Sequence, residues 1–148
     1  MGSRVLPFAA VLHVLEEWEG GFLLQMRQFV PGVTPMHFWL VNAGFVALCL
    51  VAAVLYRTCP VLALSAIALV GVNALIHLAA TIVLHAYSPG LVSALALYVP
   101  LTIWTFRAAL ARREVTPHQA RHAALLGFGF MAVPLIFQGV RLMLARLS

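Results

Sequence analysis

Between Val61 and Ala86 the chain carries no Asp, Glu, Lys or Arg, and most of its residues are Leu, Val, Ile and Ala. A run of that length meets the ~20 apolar residues a helix needs to cross the ~30 Å hydrocarbon core of a bilayer. Inside lipid a helix also satisfies its own backbone N–H and C=O groups. Similar blocks recur along the 148 residues, of which 64% are hydrophobic and 9% charged, with a mean hydropathy of +1.02. A soluble domain carries about 25% charged residues. The expected fold class is therefore all-α, a polytopic transmembrane bundle of about five helices. The polar connections leave no room for a separate soluble unit, so residues 1–148 read as a single transmembrane domain.

Punctuation residues divide the chain. A short first helix is expected from about Val5 to Glu19, stopped by Gly20-Gly21, because glycine accepts the left-handed conformation that ends helices. Phe22 to Phe29, with Gln25, Arg27 and Gln28 among bulky apolar residues, suits an interfacial segment closed by Pro31-Gly32 and Pro35. A second helix follows from about Met36 to Tyr56, and a third from about Val61 to Ala86, ended by Ser88-Pro89-Gly90. A fourth from about Leu91 to Leu110 carries Pro100, which should kink it. Thr116-Pro117 caps a fifth, which reaches roughly Arg141 or beyond. An interfacial first helix with four crossings is the alternative. Repeats and heptads are absent, which excludes solenoids and coiled coils.

The net charge of +5 comes entirely from arginines. They sit at the ends of hydrophobic blocks, where they anchor helices, so nucleic acid is not an expected partner. With five crossings, Arg4, Arg57, Arg107, Arg112, Arg113 and Arg121 fall on the side of the N-terminus, against Arg27, Arg141 and Arg146 opposite. That bias places the N-terminus in the cytoplasm. The N-terminal stretch lacks a small-residue cleavage site and is read as a retained helix rather than a signal peptide. Cys49 and Cys59, about 15 Å apart along a helix, should be unpaired.

Chemistry enters with His13-Val14-Leu15-Glu16-Glu17, an H-x-x-E-E pattern inside an apolar segment. Offsets of three and four put both carboxylates on the helix face that bears the imidazole. A carboxylate near mid-bilayer costs roughly 2.5–3.5 kcal/mol, so a cation, a shared proton or basic partners must compensate it. In the third helix Asn73 and His77 lie one turn apart, with Thr81 continuing the stripe. At 1.5 Å per residue Glu16 and Glu17 lie roughly 18–20 Å from the cytoplasmic boundary, and Asn73 and His77 roughly 18–24 Å. One shared site explains the matching depths better than two separate buried liabilities.

His37 and His85 lie nearer the outer surface and are read as an entrance or an additional ligand set. His118 and His122 have metal-like i, i+4 spacing but belong among the cytoplasmic arginines, outside the main site.

The H-x-x-E-E of His13, Glu16 and Glu17, the N-x-x-x-H of Asn73 and His77, and the turn Tyr87-Ser88-Pro89-Gly90 together resemble the bacterial HXXEE-motif membrane-protein family. These elements span residues 13–90. The resemblance implies a bacterial inner (cytoplasmic) membrane protein that looks like an enzyme of unassigned chemistry.

The first functional expectation is a metal-dependent membrane hydrolase. His13, Glu17 and His77 would hold a divalent metal, zinc first and iron second, with Glu16 activating water and Asn73 orienting His77 or donating to an oxyanion. The substrate would be lipid-like or another apolar small molecule, and membrane lipid and a second copy of the chain are the other partners to expect. Alternatives are a non-haem iron oxidase, a metal-free acid/base isomerase or cyclase, and a proton- or cation-coupled transporter or binding protein. Clustering of the polar groups at one depth favours a site over a channel.

Overall fold

Proline sets three helix starts in this chain. A computed structural model describes residues 2–145 as six helices: α1 (Gly2–Glu19), α2 (Phe22–Phe29), α3 (Pro35–Leu55), α4 (Pro60–Leu84), α5 (Leu91–Ala111) and α6 (Pro117–Ala145), with no strand among the described residues. Pro35, Pro60 and Pro117 each open a helix, where a missing N–H costs nothing and φ is already helical. Thr34 and Thr116 complete two of these starts as caps. The Thr34 hydroxyl receives the His37 amide while the His37 ring accepts from the Thr34 amide. Gln119 reciprocates in the same way with Thr116. Between α1 and α2, Gly21 takes φ +80°, a conformation other residues enter only at a cost.

α1 begins at Gly2 rather than near Val5, so its 18 residues rise about 27 Å. Pro7 lies inside the helix rather than at its start. α5 accommodates Pro100 by widening. Residues 94–98 form a π turn, in which the Val99 amide reaches the Ala94 carbonyl. The extra residue makes room where the proline ring would press on the preceding turn.

α4 is the centre of the bundle, with every residue from Ala63 to Val70 buried. α3, α5 and α6 pack around it, and α1 lies against α3. α6 approaches closely at Gly127, where a Cβ would come within 2.5 Å of the Ala68 side chain and 2.7 Å of the Leu69 amide. On the α5 side, Gly71 gives way to Thr102, whose hydroxyl donates to the Ile67 carbonyl at 3.1 Å.

The exterior is apolar where a soluble protein would be polar. Met36, Leu40, Val54, Val83, Val92 and Leu125 are all more than 60% exposed, and lipid is the solvent that such a surface fits. α3, α4 and α5 are long and apolar enough to cross a membrane, which marks an integral membrane protein. α1 and α6 run beside them but carry more polar sequence. Cys49 is buried, Cys59 is exposed, and both are free. Arg146 and the side chain of Arg141, counted above at the outer end, lie outside the described residues.

Candidate metal centre

The i, i+4 spacing on α1 stacks His13 over Glu17, and α4 brings His77 against both. All three are buried, at 1%, 4% and 3% exposure. Each can offer one ligand atom, and those atoms lie within 4.8 Å of one another. Glu17 Oε1 stands 3.4 Å from His13 Nε2 and 3.3 Å from His77 Nε2. A charge-assisted hydrogen bond would draw these atoms to about 2.7–2.9 Å. Donors bound at about 2.0–2.1 Å in a tetrahedron lie about 3.3 Å apart. The group could hold a metal ion.

The far side of each ring is tied to a serine. His13 Nδ1 lies 2.9 Å from Ser93 Oγ, and His77 Nδ1 lies 3.0 Å from Ser88 Oγ. Ser93 Oγ also lies 3.2 Å from the Gly90 carbonyl, which can only accept; with the hydroxyl proton in that bond, the Ser93 oxygen accepts from Nδ1 of His13. The lone pair of a neutral His13 then sits on Nε2 and points at a carboxylate. Nε2 is itself a buried atom with no hydrogen-bond partner among the described residues. Two electron-rich atoms facing each other in a water-poor interior need a cation or a shared proton between them. Ring orientation through Nδ1 is the arrangement by which metal-binding histidines are ordinarily fixed.

The loop between α4 and α5 closes the site. Thr81 donates to the His77 carbonyl and accepts the Ser88 amide at 3.1 Å, fastening the loop to the end of α4. Gly90, at φ +99°, lies over the three ligands. A Cβ there would come within 2.8 Å of both histidine Cε1 atoms and 3.0 Å of Glu17 Cγ. Tyr98 of α5 is fully buried, with its ring 4.7 Å from that of His13 and its hydroxyl without a partner among the described residues. The Phe22 ring lies 5.8 Å from His77 and opens onto an apolar cavity of about 80 Å³ shared with Phe38 and Val41.

The remaining sequence-predicted residues sit elsewhere. Glu16, expected to activate water, is instead the anion at the N-terminus of α5. Its oxygens accept the amides of Val92 at 3.0 Å and Ser93 at 2.6 Å, and the Tyr87 hydroxyl donates to it. One residue from Glu17 is a rotation of about 100°, which turns Glu16 to a helix end whose amides and dipole attract negative charge. Asn73, expected to orient His77, does not bond to it: Ser88 holds the ring, and Asn73 Oδ1 is buried without a partner among the described residues. His37 is committed to the α3 cap. His85 is the exposed residue that ends α4 at φ 49°. Neither reaches the ligands. His118 and His122 meet edge to face, ring centres 4.1 Å apart, on the exposed face of α6.

Ser88, Ser93, Gly90 and Tyr98 escape a reading by spacing alone. The only sequence signal near them is the Tyr-Ser-Pro-Gly turn, which reads as a helix stop and hides its contact with the ligands. If the serines set the rings, Ser88→Ala and Ser93→Ala will each weaken metal binding about 10–100-fold. Competition against a chelator of known affinity measures this, and unchanged affinity in both variants would reduce the serines to packing.

The chain belongs to a family described as proteins of unknown function with an HXXEE motif, whose model matches residues 4–105. The match contains every residue of the triad and its supports and stops before α6. No curated protein and no solved structure matches the chain.

Proposed function

We propose that this protein is a metal-dependent enzyme of the membrane, in which His13, Glu17 and His77 hold one divalent ion and serve hydrolysis of a lipid-like, apolar substrate. The observation that carries the reading is the pair of Nε2–Oε1 separations, 3.4 and 3.3 Å, together with a hydrogen-bonded Nδ1 on each ring. Two histidines and one carboxylate with a further open position is a ligand set of catalytic zinc, where the ion polarises a carbonyl and brings water to a pKa near 7.

The chain's own groups divide the remaining work. Ser88 and Ser93 hold the imidazoles in place. With Glu16 committed to α5, Glu17 is the acidic group left to take a proton from water, on its second oxygen. Phe22, Tyr98 and the Gly90 turn limit access of bulk water. The N-terminus faces the cytoplasm in this reading, with the arginine-rich end inside.

The same donor set also serves non-haem iron, so oxidation of an acyl chain by dioxygen is a second reading, ranked behind hydrolysis. Elemental analysis of the detergent-purified protein separates the two. About one equivalent of zinc supports hydrolysis and about one of iron supports oxidation. Protein that contains neither, and that binds neither Zn(II) nor Fe(II) on addition, would overturn both.

A further inference from the structure

A cavity much larger than the one beside Phe22 lies away from the triad. It lies at the other end of α1, roughly 20 Å from Glu17 along the helix, and encloses about 870 Å³. Three arginines from three separate parts of the chain converge on it: Arg4 at the start of α1, Arg57 in the α3–α4 turn and Arg112 after α5. One carboxylate, Glu114, joins them. It receives the Tyr56 hydroxyl at 2.6 Å and lies 3.9 Å from Arg112. The chain's other acidic side chains, Glu16, Glu17 and Glu19, are at the far end of α1, so among the described residues Arg4 and Arg57 have no acidic partner. Tyr56 is held neutral, since desolvation and then its bond to Glu114 push the phenol up to about 12. The mouth therefore carries three positive charges against one negative.

Below the arginines the wall is apolar. Phe8 and Val11 of α1 face Leu50 and Val54 of α3, and their exposure, 72%, 44%, 51% and 78%, continues this wall onto the outer surface of the bundle. A cationic mouth leading to an apolar wall open to the bilayer matches a ligand with an anionic head and a hydrocarbon tail. Guanidinium forks suit phosphate oxygens, and the volume lies within the 300–1,000 Å³ common for small-ligand sites. A bare anion would use the arginines and leave the wall unused, while the quaternary ammonium of a zwitterionic lipid would meet the arginines' own charge.

We propose that the space between α1 and α3 is a binding site for one anionic phospholipid, with the phosphodiester at Arg4, Arg57 and Arg112 and an acyl chain along Phe8, Val11, Leu50 and Val54. This site is independent of the metal centre. Native mass spectrometry of the full-length protein, released from micelles containing equal phosphatidylglycerol and phosphatidylcholine, tests it. The wild type should retain phosphatidylglycerol at least ten-fold over phosphatidylcholine, and each arginine should contribute about five-fold. The double variant Arg4→Gln/Arg57→Gln should retain the two lipids about equally. Ala53→Phe, which fills the wall and keeps every charge, should lower phosphatidylglycerol retention about ten-fold and carries the test alone if the arginine variant fails to fold. Equal retention by the wild type, retention unchanged in both variants, or displacement of the lipid by millimolar inorganic phosphate would overturn the proposal.

Discussion

Glu17→Gln should lower metal affinity on the order of 10³-fold or more and bring metal in the purified protein close to zero. Groups that merely orient a ligand are worth roughly 10–100-fold, and Glu17 is more central than those. Its Oε1 is the atom both Nε2 nitrogens face. A neutral amide keeps the shape and removes the charge that offsets a divalent ion in a buried site. The informative control is the neighbouring Glu16→Gln. That carboxylate binds the amides of Val92 and Ser93 at the start of α5, so losing its charge should cost about 1–2 kcal/mol of stability while metal content stays near the wild-type value. Elemental analysis and thermal unfolding of both variants check the pair. Loss of metal in Glu16→Gln with retention in Glu17→Gln would reverse the assignment of the two acids. Saturating metal should also raise the unfolding temperature of the wild type and not that of Glu17→Gln, since a ligand stabilises only a fold that binds it.

That contrast shows what periodicity can and cannot reach. An i, i+4 offset on one helix identifies His13 and Glu17 as neighbours, and matching depths in two apolar helices point to His77. Adjacent residues, however, face directions about 100° apart, and what stands in the second direction depends on how the bundle closes. Glu16 found the N-terminus of α5, a partner no local pattern on α1 announces. Asn73 shows the same gap from the other side. One turn from His77 is close enough to suggest that it orients the ring, but the loop supplies Ser88 from eleven residues away. His37, read as an entrance residue or an additional ligand, is a helix cap by position, a role that the Thr34-Pro35 start makes legible afterwards.

Helix limits were more accessible, because proline and threonine act locally. α3, α4 and α6 begin at Pro35, Pro60 and Pro117, and the mixed stretch from Phe22 to Phe29 is a separate short helix. α1 departs from expectation, starting at Gly2. The kink expected at Pro100 takes the form of a π turn just before it. A proline tells where a helix must adapt but not how, since either a bend or an inserted residue relieves the same clash.

The loop's grip on the ligands leads to the second large effect, Gly90→Ala. Two costs add at this position. An alanine at φ +99° is strained, about 1–3 kcal/mol, and its Cβ would press on His13, His77 and Glu17 at 2.8–3.0 Å, an overpacking of about 1–3 kcal/mol more. The total of about 2–6 kcal/mol is large for the addition of one methyl group. Because the atoms pressed are the ligands themselves, the loss should appear in metal binding as well as in stability. Gly21→Ala isolates the first cost, since Gly21 also has positive φ, at +80°, but has nothing within 4 Å of its Cβ position. Thermal unfolding of the two variants, with metal content of each, therefore separates backbone strain from collision with the site. The expected order is a small loss of stability with full metal for Gly21→Ala, and a large loss with little metal for Gly90→Ala. A Gly90→Ala protein that melts with Gly21→Ala and keeps its ion would mean that the loop yields to the methyl group and that the ligands are not held from above by Gly90.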